Sequence, residues 1–145
     1  MKPSNARIAL GVSLLALSGL AAAASITPEP VYNPSAEIRM SAVIAGVRQV
    51  PAGSPMAGVH LTVQAKTGTA DVYLGPAEFI KIFKTSFPAG APIQIVGSRV
   101  ASAGGEVILA REVSEGATSI TLRELTGVPV WEHWGVVADT AVSGG

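Results

Sequence analysis

The chain of 145 residues contains no cysteine, only two histidines and few aromatic side chains. Without cysteine there are no disulfides, thiolate metal ligands, thiol nucleophiles or CxxCH haem attachments. His60 and His133 are the only histidines that could serve as a base, and no GxSxG segment is present for Ser-His-Asp chemistry. Glycine loops with the spacing that holds phosphate are missing too. The sequence therefore predicts a protein that is not an enzyme and needs no cofactor.

The first 24 residues have the three parts of a secretory signal peptide. Lys2 and Arg7 give a basic start, residues 8–20 form an apolar run, and the small residues AAAAS follow. The run is shorter than the roughly 20 apolar residues that a spanning helix needs. We therefore expect cleavage near Ala24, no membrane span in the mature chain, and a periplasmic or secreted protein.

Positive charge is also scarce once this segment is removed. Without Lys2 and Arg7, eight basic residues remain against ten acidic ones, and the basic residues are scattered singly along the chain. Proteins that bind nucleic acid through phosphates usually carry a basic patch. The sequence therefore predicts no nucleic-acid partner.

Residues 25–37 contain three prolines and no periodicity, which predicts an extended linker before a folded domain over residues 38–134. A tail of small and polar residues, 135–145, follows the domain. The domain begins with a β-branched, apolar strand over residues 37–50, in which Gly46 predicts a bulge or bend.

The stretch GVHLTVQAKTGTADVYLG, residues 58–75, alternates between apolar and polar side chains, as half-buried strands do. With Thr67 and Gly68 as a two-residue turn, Val63 would face Val72 and Leu61 would face Leu74. The opposite, outward face of this predicted hairpin carries His60, Thr62, Gln64, Asp71 and Tyr73.

A helical period follows in residues 75–87, and the strands IQIVGSRV, EVILAREV and TSITLREL come after it. The sequence thus predicts a mainly β fold, an OB-like five-stranded barrel with one short helix between strands three and four. The segments GVHLTVQAKTGTADVYLGPAEFI, IQIVGSRV and EVILAREV, within residues 58–113, also resemble small exported bacterial proteins of OB type, a group without an assigned activity. A β-sandwich is the competing fold, but a helix among the strands argues against it.

The last predicted element is an edge hairpin around GVPVWEHWG. A turn at Thr126 and Gly127 would place Trp131 opposite Leu122 on the apolar face, with His133 near that face. Trp134 would then point outward, where it could contact a ligand or partner.

Barrels of OB type usually bind ligands on the outer face of strands two and three, and this resemblance implies a site there. The predicted ligand-binding residues are His60, Thr62, Gln64, Asp71, Tyr73 and Trp134. The predicted function is an exported, non-enzymatic binding or accessory module of the bacterial envelope that recognises a small ligand, a glycan or a partner protein. The alternative is a metal-linked or redox accessory protein that uses His60 or His133.

Overall fold

The computed structural model describes residues 30–133. The predicted signal peptide, the first five residues of the predicted linker, Trp134 and the predicted tail lie outside this range. The elements follow in the order of a 3-10 turn (Pro34–Ala36), β1 (Glu37–Val50), β2 (Gly58–Ala65), β3 (Gly68–Gly75), α1 (Ala77–Ile80), a second 3-10 turn (Lys81–Phe83), β4 (Pro92–Ser102), β5 (Gly105–Glu115) and β6 (Thr118–Thr121). Within residues 30–133, no helix is long and apolar enough to cross a membrane.

The first five strands close into a barrel. The hydrogen-bonded order is β3-β2-β1-β4-β5-β6, and a parallel pairing of β3 with β5 joins the ends of the first five. The long β1 pairs with two strands: its first half with β4 and its second half with β2. The change of register between Ile44 and Gly46 is the bulge predicted at Gly46.

This architecture confirms the predicted fold class: a mainly β protein, a closed five-stranded barrel of mixed pairing, and a short helix between β3 and β4. The extra strand β6 lies outside the barrel and pairs with β5. Branched and aliphatic side chains from all five strands fill the interior, among them Ile44, Leu61, Val63, Val72, Leu74, Ile93, Ile95 and Ile108. Phe79 and Ile80 of α1 pack against the same core, as the apolar stripe of the helix predicts.

The β2–β3 hairpin has the predicted faces but a different register. Leu61 pairs with Val72, Val63 with Ala70, and Ala65 with Gly68. The turn residues are therefore Lys66 and Thr67, and the predicted pairing is wrong by two positions. Because the side-chain period of a strand is two, this shift leaves every side chain on the face where the alternation placed it.

Residues 122–133, the described part of the chain after β6, also differ from the expected register, and we call them the C-terminal arm. Arg123 bridges Pro129, one position away from the predicted pairing, and residues 130–133 are helical where a returning strand was expected. Proline has no N–H to donate to a ladder, which agrees with the end of pairing at Pro129. Trp131 is nevertheless half-buried and packs against the core, as predicted.

The described part of the predicted linker lies on the barrel. Tyr32 is buried, and the backbone N–H of Asn33 donates to Ser98 Oγ at 2.9 Å. The Ser98 hydroxyl in turn donates to the Asn33 carbonyl at 2.8 Å. Residues 30–36, which we call the N-terminal strap, are therefore held by β4.

Candidate functional site

The outer face of β2 and β3 brings together the five hairpin residues predicted from the sequence. His60 pairs with Tyr73, Thr62 with Asp71, and Gln64 with Thr69. Gln64 is exposed, whereas Thr62 and Asp71 are partly covered. His60 and Tyr73 lie on the predicted outward face of the hairpin, but each is only 3% exposed.

The β1–β2 loop, residues 51–57, covers these two side chains. The Met56 carbonyl lies 2.9 Å from His60 Nε2, and the Tyr73 hydroxyl donates to the Ala57 carbonyl at 3.1 Å. Met56 has a φ of 57°, a left-handed conformation that a residue with a side chain seldom adopts. The loop therefore has a defined position, fixed by contacts from both strands of the hairpin.

Three charged or titratable side chains meet beneath this loop. His60 Nδ1 lies 3.0 Å from one carboxylate oxygen of Asp71, and an Arg48 Nη2 lies 3.2 Å from the other. Partial burial raises the pKa of Asp71, but the hydrogen bond and charge of His60 and the charge of Arg48 outweigh it, so the pKa is below its ordinary value. Asp71 is thus an ionised carboxylate held between two donors.

Sequence reasoning missed Arg48. It pairs with His60 across β1 and β2 and shares the outer face, while Val43, five positions earlier, pairs with Gln64 on the same face. The bulge between Ile44 and Gly46 inserts a residue, and it therefore reverses which positions of β1 point outward. Alternation alone gives the wrong face for Arg48 unless the bulge is taken into account.

A cleft of about 190 Å³ adjoins this group. The β1–β2 loop forms one wall through Pro55 and Met56, and the β4–β5 turn contributes residues 102–104. Arg48, His60 and Asp71 also line it. These two loops and this strand face are where OB-type barrels bind their ligands. We call this the loop cleft.

An outer apolar cluster lies beside the loop cleft, on the outside of the barrel wall. Tyr73, Val107 and Leu109 are buried in it, together with Tyr32 from the N-terminal strap. Met56 and Trp131 pack against it from the β1–β2 loop and the C-terminal arm. Three separate segments of the chain therefore cover one side of the barrel.

Trp131 and Tyr32 reach their positions because glycines leave room for the rings. A Cβ on Gly75 would lie 2.9 Å from the Trp131 ring, and a Cβ on Gly127 would overlap the Tyr32 ring. The Arg123 guanidinium lies 5.1 Å from the centre of the Trp131 ring and 5.7 Å from that of Tyr32. Both separations fall within the range of cation–π attraction, so Trp131 is a structural anchor. Trp134, the predicted contact residue, lies outside the described residues.

A charged pair fixes the junction of the N-terminal strap with β1. Arg111 donates from Nε and Nη2 to the two carboxylate oxygens of Glu37, each at 2.9 Å, and Tyr32 donates its hydroxyl to the same carboxylate. Hydrogen bonds from Arg111 and Tyr32 lower the pKa of Glu37 to about 2. Burial and the neighbouring Glu37 raise the pKa of Tyr32 to about 12. This group, the strap latch, is structural and lies apart from the residues that line the loop cleft.

The described residues also form larger open clefts, and none of them is lined by the Arg48–Asp71–His60 group. One, of about 390 Å³, lies between the N-terminal strap and the C-terminal arm, where Arg123 donates to the Gly127 carbonyl. Another, of about 460 Å³, lies near Lys66 and Met40, and a third, of about 450 Å³, lies between Val43 and Gln64. The loop cleft is the smaller cavity, but it joins a carboxylate, a buried imidazole and an arginine with the predicted face.

The second histidine does not join the first at a metal site. His133 is exposed and lies 3.4 Å from Glu124, on the C-terminal arm. Residues 30–133 contain no group of three or more histidine, cysteine, aspartate or glutamate side chains arranged to hold a metal ion. The metal-linked alternative therefore receives no support from a preformed site in this part of the chain.

Comparison with known proteins gives one family. The sequence profile described as the MamS/MamX magnetosome protein family matches residues 38–120, which include all of β1 except its first residue, all of β2 to β5, and most of β6. The matched segment thus contains every strand of the barrel and the whole loop cleft apart from the strap. No curated protein matches the chain.

Proposed function

Because the chain belongs to the MamS/MamX magnetosome protein family, we propose that it is a magnetosome-associated accessory protein that acts by recognition, without catalysing a reaction. We assign the recognition to the loop cleft, and the partner to a protein of the bacterial envelope. The signal-peptide pattern of residues 1–24 supports a periplasmic or secreted location.

The observation that carries this proposal is the composition of the loop cleft. A fixed loop, a turn and the outer face of β2 and β3 converge there on the Arg48–Asp71–His60 group. The Arg48 side chain is 55% exposed, so its guanidinium can bind a partner in addition to Asp71. A guanidinium matches the geometry and charge of a carboxylate, so the partner segment should present an acidic side chain.

The contacts of His60 support recognition over catalysis. A general base needs a ring nitrogen that is open to the substrate proton. Here Nδ1 lies against Asp71 and Nε2 lies against the Met56 carbonyl, with the ring 3% exposed. The imidazole thus holds the site together, and a substrate could not reach either nitrogen while the loop is closed.

The absence of native cysteine allows a direct test with a single introduced thiol. Ala103 lies on the β4–β5 turn at the loop cleft, and Ala117 lies on the β5–β6 turn, also exposed and away from it. Each alanine is replaced in turn by cysteine, labelled with a benzophenone maleimide, and irradiated in cells or envelope extract. Cross-linked products are then identified by mass spectrometry.

We expect a discrete protein adduct from Ala103→Cys that Ala117→Cys does not give. Adding Arg48→Gln should reduce the yield of this adduct several-fold, while the melting temperature stays within a few degrees because the Arg48–Asp71 pair is partly exposed. Identical adducts from both positions, or a yield that does not respond to Arg48→Gln, would contradict recognition at the loop cleft.

The metal-linked alternative has its own measurement. Cu(II) or Zn(II) is titrated into the protein by calorimetry, beside a variant that carries His60→Ala and His133→Ala. Heat that appears only with the native histidines would favour this alternative. Absence of heat, or equal heat in both proteins, would dismiss it.

A further inference from the structure

His60 sits between two hydrogen-bond acceptors. Nδ1 lies 3.0 Å from the Asp71 carboxylate, and Nε2 lies 2.9 Å from the Met56 carbonyl. A carboxylate and a backbone carbonyl both accept and do not donate. A neutral imidazole has one N–H and satisfies one of them, whereas the imidazolium has two and satisfies both. Both contacts can be hydrogen bonds at the same time only when His60 carries a proton on each ring nitrogen.

We propose that protonated His60 holds the β1–β2 loop in place through its hydrogen bond to the Met56 carbonyl. The loop cleft is then assembled while His60 carries both ring protons, and it loses its loop wall when His60 gives up one of them. The effect on partner binding rests on the function proposed above for this cleft. Movement of the loop itself does not.

The surroundings of His60 decide which of its two contacts is lost. From β3 it faces Asp71, which is ionised, and the Tyr73 ring, whose centre is 5.0 Å away. From β1, Arg48 faces the same carboxylate. The loop contributes a neutral acceptor, the Met56 carbonyl. The single remaining proton stays on Nδ1, which faces the charged Asp71 carboxylate, because charge-assisted hydrogen bonds are the stronger ones. Nε2 then presents a lone pair to the carbonyl oxygen, and the two repel.

Apart from the His60 contact, a hydrogen bond and a packing contact hold the β1–β2 loop to the described barrel. The Tyr73 hydroxyl donates to the Ala57 carbonyl at the end of the loop, and the Met56 side chain packs against the outer apolar cluster. Residues 51–55 are exposed, and Met56 has the left-handed backbone conformation described above. Loss of the His60 contact therefore releases Met56 and Pro55, which form a wall of the cleft. The same proton loss lowers the charge of the cleft by one, so an acidic partner group binds less well for both reasons.

The methionines give a direct readout of this motion. The Met56 side chain packs against the outer apolar cluster, which contains the rings of Tyr32 and Tyr73, whereas Met40 packs against the barrel core. Protein labelled with ¹³C at the methionine methyl groups is followed by NMR from about pH 5 to about pH 8.5, the range in which histidine changes its charge. The ring-shifted Met56 signal should move toward the position of an exposed methionine as pH rises, while the Met40 signal stays in place.

The two histidines supply a matched pair of variants. In His60→Gln the Met56 signal should not depend on pH over this range, because glutamine does not titrate. In His133→Gln the transition should persist unchanged, since His133 is exposed on the C-terminal arm. Should His60→Gln fail to fold, long-range ¹H–¹⁵N spectra of the native imidazole report directly whether both ring nitrogens carry protons at pH 5.

The outcomes separate the two proposals. A Met56 transition that coincides with loss of the His60 proton establishes that His60 holds the loop. That proposal is overturned by an immobile Met56 signal, by a singly protonated His60 at pH 5, or by the same transition in His60→Gln. If Met56 moves as expected but Ala103→Cys cross-links nothing at either pH, the role of His60 in holding the loop stands and the recognition function fails.

Discussion

Replacing Glu37 by glutamine tests the strap latch with the smallest change of shape. The carboxylate accepts two hydrogen bonds from Arg111 and one from Tyr32. Arg111 is 8% exposed, so its charge has little access to water. Glutamine offers one acceptor oxygen and no charge, and it leaves the guanidinium without a counter-charge at this position. We expect Glu37→Gln to lower the free energy of unfolding.

The magnitude follows from the pKa of Glu37. A fall from the ordinary 4.5 to about 2 corresponds to roughly 3 kcal/mol of extra stability for the ionised form, at about 1.4 kcal/mol for each pKa step. The Glu37 side chain is 27% exposed, so solvent screening reduces this figure, and glutamine keeps part of the hydrogen bonding. We therefore expect a loss of about 2 kcal/mol, below the roughly 3–5 kcal/mol for breaking a fully buried pair.

The assay is urea unfolding at neutral pH in a double-mutant cycle with Arg111→Met. Removing both partners should cost less than the sum of the single changes, because no unpaired charge remains. Glu106→Gln is the control, since its pair with Arg99 at 2.7 Å is exposed and should contribute below about 0.5 kcal/mol. A loss under about 0.5 kcal/mol for Glu37→Gln, or strict additivity in the cycle, would refute the reasoning.

The Glu37–Arg111 pair also makes the free energy of unfolding depend on pH. Because the pKa of Glu37 is lower in the folded protein, its contribution is fully present above the unfolded value of 4.5 and disappears as pH falls from 4.5 toward 2. Native protein should lose stability across this window, and Glu37→Gln should lose less. Parallel pH profiles for the two proteins would show that the loss comes from other groups.

Two further substitutions test the packing. Gly127→Ala should cost about 2 kcal/mol, because its φ of 93° strains a side chain and the new Cβ would overlap the Tyr32 ring; calorimetric melting within one degree of native would contradict this. Leu61→Ala, at a fully buried position, should cost about 3 kcal/mol in urea unfolding, against below about 1 kcal/mol for Ile82→Ala, which is 50% exposed. Equal losses at the two positions would show that Leu61 is not in the core.

The elements that local pattern controls could be predicted from the sequence. Alternation over residues 58–75 gave both hairpin strands and their faces, and the change of period gave the helix at Ala77–Ile80. The hairpin register was wrong by two residues because either choice keeps the apolar side chains on one face. Pattern thus determines the face of a strand more strongly than its partner residue.

Contacts between distant segments could not be predicted in this way. The Glu37–Arg111 pair spans 74 positions, and neither residue has a local signal that indicates the other. The burial of His60 and Tyr73 depends on residues 51–57, whose two prolines and one glycine predict a turn but not where it packs. The five hairpin residues of the predicted site therefore lie on one face, as their alternation predicts, while their cover and the added Arg48 required the structure. The prediction for Trp134 lies outside the described residues.

The outer apolar cluster has a consequence for the speed of folding and unfolding. Its parts come from the N-terminal strap, the β1–β2 loop, the wall strands and the C-terminal arm, and the parallel β3–β5 pairing provides the wall on which they rest. Such distant segments meet only after long loops have closed, so the cluster should form late, after the rate-limiting step. Changes at Tyr32 or Trp131 should then accelerate unfolding and leave the folding rate nearly unchanged. The cluster would thereby mainly slow unfolding, and so lengthen the lifetime of the native state.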